Sequence, residues 1–297
     1  MKSISPQEKR WMTLQTKVFE EKIKAAFGLF REHKLEPILI KGWAAAQFYP
    51  DRNERLYTDI DLCVRPQDFA AARAVLETVR AESLSIDLHA GLRHLDSTPW
   101  ENLYANSILK DLDGTPIRLL RPEDHLRVLC AHWLNDGGVS RDKLRDVYFA
   151  VANRPADFDW ERCLSTVDRN RREWVIKTIA VARRYLDLET GDLPFAAELD
   201  ELPKWLTRTI EREWASPVTL TPLFLAVRSK RKFWQQIRKR FPPNALQATI
   251  EMNGALDGKP RIYYQIGSFV HRLKPSAKSF GRFLRAKLSK ERRRNER

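Results

Sequence analysis

Residues Ile38 to Leu62 read ILIKGWAAAQFYPDRNERLYTDIDL. An apolar run is followed by Lys41-Gly42, a short alanine-rich stretch, and then Asp59-Ile60-Asp61 inside a second apolar run. Side chains alternate across a strand, so Asp59 and Asp61 share one face while Ile60, Leu62 and Val64 share the other. The second set can join a core. The first puts two like charges side by side, which repel unless something compensates them. A divalent cation is the usual compensation, because Mg²⁺ takes carboxylate oxygens and keeps positions open for substrate phosphates.

A third carboxylate lies downstream in SIDLHAGL, residues 85–92. Ser85, Asp87 and His89 fall on one face of that segment, and Ile86 and Leu88 on the other. If this strand neighbours 58–64, Asp87 approaches the first pair. Three clustered carboxylates can hold two metal ions, which clamp the attacking and leaving oxygens of a phosphoryl displacement. Asp59, Asp61 and Asp87 are therefore the candidate catalytic and metal residues. Upstream, Lys41 and Gly42 stand at a strand-to-helix turn. A glycine there lets the backbone approach a phosphate, the start of a helix attracts anions, and Lys41 adds charge near a triphosphate. Arg55 can touch phosphate or form an ion pair with Asp59 or Glu54. His89 can take part in the site or hydrogen-bond Asp87.

Working outward, SPQEKRWM…HKL reads as one amphipathic helix with Ser5 as N-cap and Pro6 in its first turn. PILI is a short buried strand, WAAAQFY a short helix, YTDIDLCV a strand, and PQDFAAARAVLETVRA a helix. LSIDLHAGL is a third strand, and TPIRLL a fourth after the Asp113-Gly114 turn. From Pro122 the apolar spacing becomes helical: 122–136, 140–153, 159–167 and 171–188 each fit, with a further helical stretch near 198–215. The expected organisation is a core over 1–121, a helical domain over 122–215 and a basic C-terminal region over 216–297.

The chain has 297 residues, 43% of them hydrophobic, which excludes a disordered protein and allows a sizeable core. No apolar run is long enough to cross a bilayer, and the N-terminus lacks the apolar centre of a secretory signal. Cys63, Cys130 and Cys163 are scattered and form no metal-like pair, which fits a reducing cytoplasm. The net charge of +14 is concentrated rather than spread. Residues 228–240 hold seven basic and no acidic residues, and 282–297 hold eight basic and two acidic. With Phe233, Trp234 and Phe283 among them, these segments suit contact with a nucleic acid or an anionic membrane surface; a solvated basic tail is the plainer alternative.

LIKGWAAAQFYPDRNERLYTDIDLCV (39–64) resembles the signature of the DNA polymerase β-like nucleotidyltransferase superfamily, and more narrowly its bacterial uncharacterised nucleotidyltransferase family. Arg55, Asp59 and Asp61 occupy the motif positions. IDLHAGL (86–92) resembles the family's later Asp-Leu-His strand, matching Asp87 and His89, and residues 120–151 resemble its helical segment, with His132 and Asp146 at matching places. The resemblance covers roughly 35–190. Lys41-Gly42-Trp43 stands where the superfamily more often has Gly-Ser, so that serine hydroxyl is missing. The resemblance implies an α+β fold: a nucleotidyltransferase-type mixed β-sheet with flanking helices, followed by a mainly helical domain. It implies an enzyme using Mg²⁺ (or Mn²⁺) and a nucleoside triphosphate, with Lys41, Gly42, Arg55 and His89 toward the nucleotide. The acceptor is open among a small molecule or sugar, an RNA 3′ end and a protein. The alternative is a catalytically silent nucleotide-binding or scaffold protein. His132, on an apolar helix, and Asp146, near arginines, read more simply as structural.

Overall fold

A computed structural model describes residues 5–78, 83–92, 95–221 and 229–272. Helix α1 (Pro6–Glu32) begins at a capping box: the Ser5 side chain accepts from the Glu8 amide and the Glu8 carboxylate accepts from the Ser5 amide. Its apolar face, Phe19, Ile23, Phe27 and Phe30, is buried at helical spacing. Phe27 and Phe30 are fully buried, and each contributes roughly 1.5–3 kcal/mol through the area it removes from water.

That face covers a five-stranded sheet of order β3-β2-β1-β5-β4. The strands are β1 (Ile38–Leu39), β2 (Ile60–Val64), β3 (Ile86–Ala90), β4 (Ile108–Leu112) and β5 (Thr115–Leu119). β1 pairs antiparallel with β2 and parallel with β5; β2 and β3 are parallel; β4 and β5 form an antiparallel hairpin. The sheet is thus mixed, as expected. Strand β4 is an addition to the four read from sequence. The turn before β5 is the one expected: Asp113 and Gly114 both have positive φ, at 48° and 82°, the conformation that favours Asp-Gly in a tight hairpin.

The two sheet faces have different roles. Ile60, Leu62 and Val64 join Leu39, Leu119, α1 and helix α3 (Phe69–Leu76) in one core. On the other face Ile38, Ile40, Cys63 and Leu120 pack with Trp100 and Leu103 of helix α4 (Trp100–Ala105) and Val128 of helix α5 (Pro122–Asn135). Between β1 and β2 lies the single-turn helix α2 (Trp43–Ala46).

The chain divides into two units, one of residues 1–134 and 140–202, the other of residues 135–139 and 203–297. The first unit also holds helices α6 (Arg141–Ala152), α7 (Trp160–Ser165) and α8 (Arg169–Leu186). Its helices are tied to the sheet loops by buried charge. Arg127 on α5 donates to Asp96 at 2.8 Å and to Thr98 at 3.0 Å, and pairs with Asp124 at 2.8 Å. Arg162 on α7 reaches the same Asp124 at 3.0 Å. The Asp96 and Asp124 side chains are wholly buried, so each charge depends on its partners.

The second unit is helical. It contains α9 (Lys204–Trp214), α10 (Lys230–Arg240), α11 (Ala245–Glu251) and a helix over residues 261–272, α12. Leu206, Ile210, Leu246, Ala248, Ile250 and Leu256 are buried. Asn244 caps α11 through its side chain and also donates to the Gly137 carbonyl at 3.1 Å. On α10, Lys230, Arg231, Lys232, Trp234 and Arg238 are exposed, whereas Lys239 pairs with Glu213. The second basic segment, 282–297, lies outside the described residues. Among the described residues no helix is long and apolar enough to cross a membrane, and Cys63, Cys130 and Cys163 are buried free thiols.

Candidate functional site

The parallel pairing of β2 with β3 sets Asp61 opposite Asp87 and Cys63 opposite His89. Because the side-chain period is two, all four project from the same face of the sheet. Toward Cys63 that face is apolar core; toward Asp61 it carries charge. The strand therefore has a core side and a charged side, and the charged side ends where the second core begins.

Asp61 Oδ1 lies 2.5 Å from Lys41 Nζ and 3.1 Å from His89 Nε2, and His89 Nε2 lies 3.4 Å from Asp87 Oδ2. Asp61 is 4% exposed, whereas the Asp87 carboxylate is more than half open to solvent. Burial on its own would raise the Asp61 carboxyl; the hydrogen bond with His89 and the charge of Lys41 outweigh it and hold the group below the usual carboxylate range. Asp61 is thus an anion at neutral pH, kept so by two cationic or donating neighbours.

Among the described residues one group of acid and histidine side chains converges closely enough to hold a metal: Asp61, Asp87 and His89, with donor atoms within 4.8 Å of one another. Two donors bound to one ion at about 2.1 Å are about 3.0 Å apart when cis in an octahedron and about 3.4 Å apart in a tetrahedron. The two imidazole–carboxylate separations fall in that range. The donor set, two carboxylate oxygens and one imidazole nitrogen, fits a divalent cation.

Asp59 stands apart from this group. It is exposed and lies one residue before β2 begins. Gly42 caps α2 with φ 53° and ψ −113°, a conformation that side chains rarely adopt, and a Cβ there would meet the Tyr57 ring at 3.3 Å. The glycine is thus required by the turn itself. The helix it opens has four residues, which leaves little dipole to attract an anion.

Arg55 feels the charge of Asp61, but its hydrogen bonds go to another carboxylate. Its guanidinium makes a two-pronged contact with Asp146 on α6, at 2.6 and 2.9 Å, and also donates to the Leu56 carbonyl. Tyr49 donates to the same Asp146 at 2.7 Å. Arg145 of α6 pairs with Glu54 at 3.3 Å, and Asn153, the residue capping α6, donates to the Phe48 carbonyl at 2.7 Å. The loop joining α2 to β2 is therefore pinned along its length to α6. His132 is half-buried on α5. His125, which sequence reasoning did not single out, is the deeply buried imidazole of that helix, packed against the Phe48 ring with centroids 5.3 Å apart. Its neighbours on both sides along the helix are also buried, so no polar–apolar alternation marked it.

Residues 7–79 match the family model described as uncharacterised nucleotidyltransferase. The matched segment runs from α1 through β2 to α3 and includes Lys41, Gly42, Arg55, Asp59 and Asp61. Strand β3, with Asp87 and His89, lies beyond it. Comparison with curated proteins and with solved structures gave no match.

Proposed function

We propose that the protein is a metal-dependent nucleotidyltransferase that moves a nucleoside monophosphate from a nucleoside triphosphate to an acceptor hydroxyl. The observation that carries this reading is the register setting Asp61 opposite Asp87 on one sheet face, with Lys41 on the same carboxylate. The family match over 7–79 supports the reaction class.

A divalent cation, Mg²⁺ or Mn²⁺, held by Asp61 and Asp87 would neutralise charge on the phosphates and act as a Lewis acid. The chain's own groups supply the rest. Asp61, already ionised, is the fixed anion of the site. Asp87 is open to solvent and can accept the proton of the attacking hydroxyl. The acceptor oxygen bonds to the α-phosphorus as the bond to the bridging oxygen breaks, and pyrophosphate leaves with that electron pair. Lys41 offers its ammonium to the triphosphate, next to the glycine turn at Gly42. Asp59, exposed at the mouth of β2, is available to a second cation. Arg55 acts through position, by fixing the loop that carries Asp59. His89 lies beside both carboxylates.

A small molecule or sugar, an RNA 3′ end and a protein hydroxyl all satisfy this chemistry as acceptor. The exposed basic residues and Trp234 of α10 favour an RNA 3′ end among them, and affinity for RNA should then fall steeply with salt. The test of the reaction class is pyrophosphate release from labelled triphosphates with cell extract as acceptor source. Asp61→Asn and Asp87→Asn should each lower it by about 10²-fold or more in protein that circular dichroism shows to be folded, Asp61→Asn with some loss of stability because Lys41 is left without its partner. Release that survives both changes would exclude the reading.

A further inference from the structure

We propose that His89 is itself a ligand of the cation held by Asp61 and Asp87, and that this nitrogen makes the site select a first-row transition ion such as Mn²⁺ or Co²⁺ over Mg²⁺. The proposal rests on the reading of the Asp61–Asp87 face as a cation site and goes beyond it by naming the third ligand and the class of metal.

Three observations support it. His89 Nε2 lies between the two carboxylates, 3.1 Å from Asp61 and 3.4 Å from Asp87. These are the separations expected of donors sharing one ion, and a single ring nitrogen meets both. Strand parity fixes the imidazole on the carboxylate face, because Asp87 and His89 are two residues apart on β3. Finally, the other carboxylate two residues from Asp61, Asp59, does not complete the group, so nitrogen supplies the third converging donor.

The chemistry of that donor decides the metal. Mg²⁺ favours an all-oxygen octahedron and holds its waters strongly. Imidazole adds affinity for transition ions, in an order that rises from Mn²⁺ toward Co²⁺ and Ni²⁺. A site of two carboxylates alone would discriminate weakly between Mg²⁺ and Mn²⁺. With His89 as third ligand it should favour Mn²⁺ and Co²⁺. A histidine that only hydrogen-bonds to Asp61 would place no nitrogen on the metal and give no such preference.

The experiment uses the full chain, stripped of metal and titrated separately with MgCl₂, MnCl₂ and CoCl₂ by calorimetry. Pulsed electron paramagnetic resonance on the Mn²⁺-loaded protein provides a second readout independent of turnover. The expected result is Mn²⁺ and Co²⁺ binding at least about tenfold tighter than Mg²⁺, with nitrogen hyperfine coupling to Mn²⁺. In His89→Ala and His89→Gln the coupling should vanish and the preference should shrink to roughly twofold, with Mg²⁺ affinity little changed. Absence of nitrogen coupling in the parent protein overturns the proposal even if neither variant folds. Coupling and preference that persist in a folded His89 variant also overturn it. Asp61→Asn with Asp87→Asn separates the two levels. If that double variant binds all three metals like the parent, the cation-site reading falls. If it loses them all while His89→Ala keeps the parent's selectivity, only the role of His89 falls.

Discussion

Lys41 Nζ lies 2.5 Å from Asp61 Oδ1, and neither side chain is more than 12% exposed. The ammonium thus occupies one side of the carboxylate that the proposed cation needs. Two unit charges about 4 Å apart repel by about 4 kcal/mol at an effective dielectric of ~20, and a divalent ion doubles the effect. Lys41→Met should therefore tighten Mn²⁺ binding, by roughly tenfold after allowance for solvent and relaxation. It should also weaken triphosphate binding, because the positive charge offered to the phosphates is gone. Calorimetry with metal alone and then with a non-hydrolysable triphosphate separates the two effects. Weaker metal binding in Lys41→Met would show that the lysine supports the site rather than competing for it.

Arg55 and Asp146 make a different kind of pair. They are 91 residues apart in sequence and joined by two hydrogen bonds, with Asp146 buried. Removing one partner of a buried pair strands the other charge. Arg55→Ala should accordingly cost about 3 kcal/mol of unfolding free energy, only partly offset by the Tyr49 hydroxyl that remains on Asp146. Arg55→Lys should recover less than half of that loss, because an ammonium cannot reproduce the fork. Urea denaturation of the three proteins decides the matter. A loss confined to the Michaelis constant, with the unfolding midpoint unchanged, would assign Arg55 to the nucleotide and not to the loop.

The charged face of β2 was legible because parity alone determines it. Asp61, Asp87 and His89 need two neighbouring strands in the right register to meet; the two strands could be read from the sequence, whereas their parallel pairing is set by the sheet. Parity could not decide that Asp59 would fall outside the strand, since strand ends depend on where pairing stops. The Arg55–Asp146 contact could not be read from spacing, because it depends on α6 docking against a loop that has no periodic pattern. Strand β4 was hidden by its position at the sheet edge: four of its five residues are exposed, so the burial pattern that reveals a strand is missing. Residues 261–272 show the converse. Ile262, Tyr263, Ile266 and Val270 are more than half exposed, so the apolar residues of α12 do not mark a buried face.

The Arg127 network should show how much a buried charge depends on its full set of partners. Arg127 is 2% exposed and bridges Asp96 and Asp124. Arg127→Met fills similar space yet leaves two buried carboxylates, of which only Asp124 retains an arginine, Arg162. The expected loss is about 3–5 kcal/mol. Adding Asp96→Asn should restore part of it, because an amide needs no counter-charge and its oxygen can still accept from the Thr98 amide and hydroxyl, as Asp96 does now. Additive losses in the double variant, measured by chemical denaturation, would contradict the network picture.

His125 predicts the acid limb of stability. Burial pushes its imidazole down to about 4, against smaller opposing effects from the Ile40 backbone and Asp146. Its Nε2 has no hydrogen-bond partner among the described residues. In the unfolded chain the same group takes a proton near its ordinary value of about 6.5. Between those two values the unfolded state binds one proton more than the folded state, so stability falls as the pH is lowered from about 6.5 to about 4 and the contribution levels off below that. Each pH unit in the window costs about 1.4 kcal/mol, which gives roughly 2 kcal/mol between pH 6.5 and pH 5. Unfolding free energies measured at pH 7, 6 and 5 should follow that slope in the parent protein. His125→Gln, which cannot titrate, should flatten it by about one proton even though the variant starts from a lower stability. An unchanged slope in His125→Gln would mean that other groups govern the acid response and that His125 is protonated inside the fold.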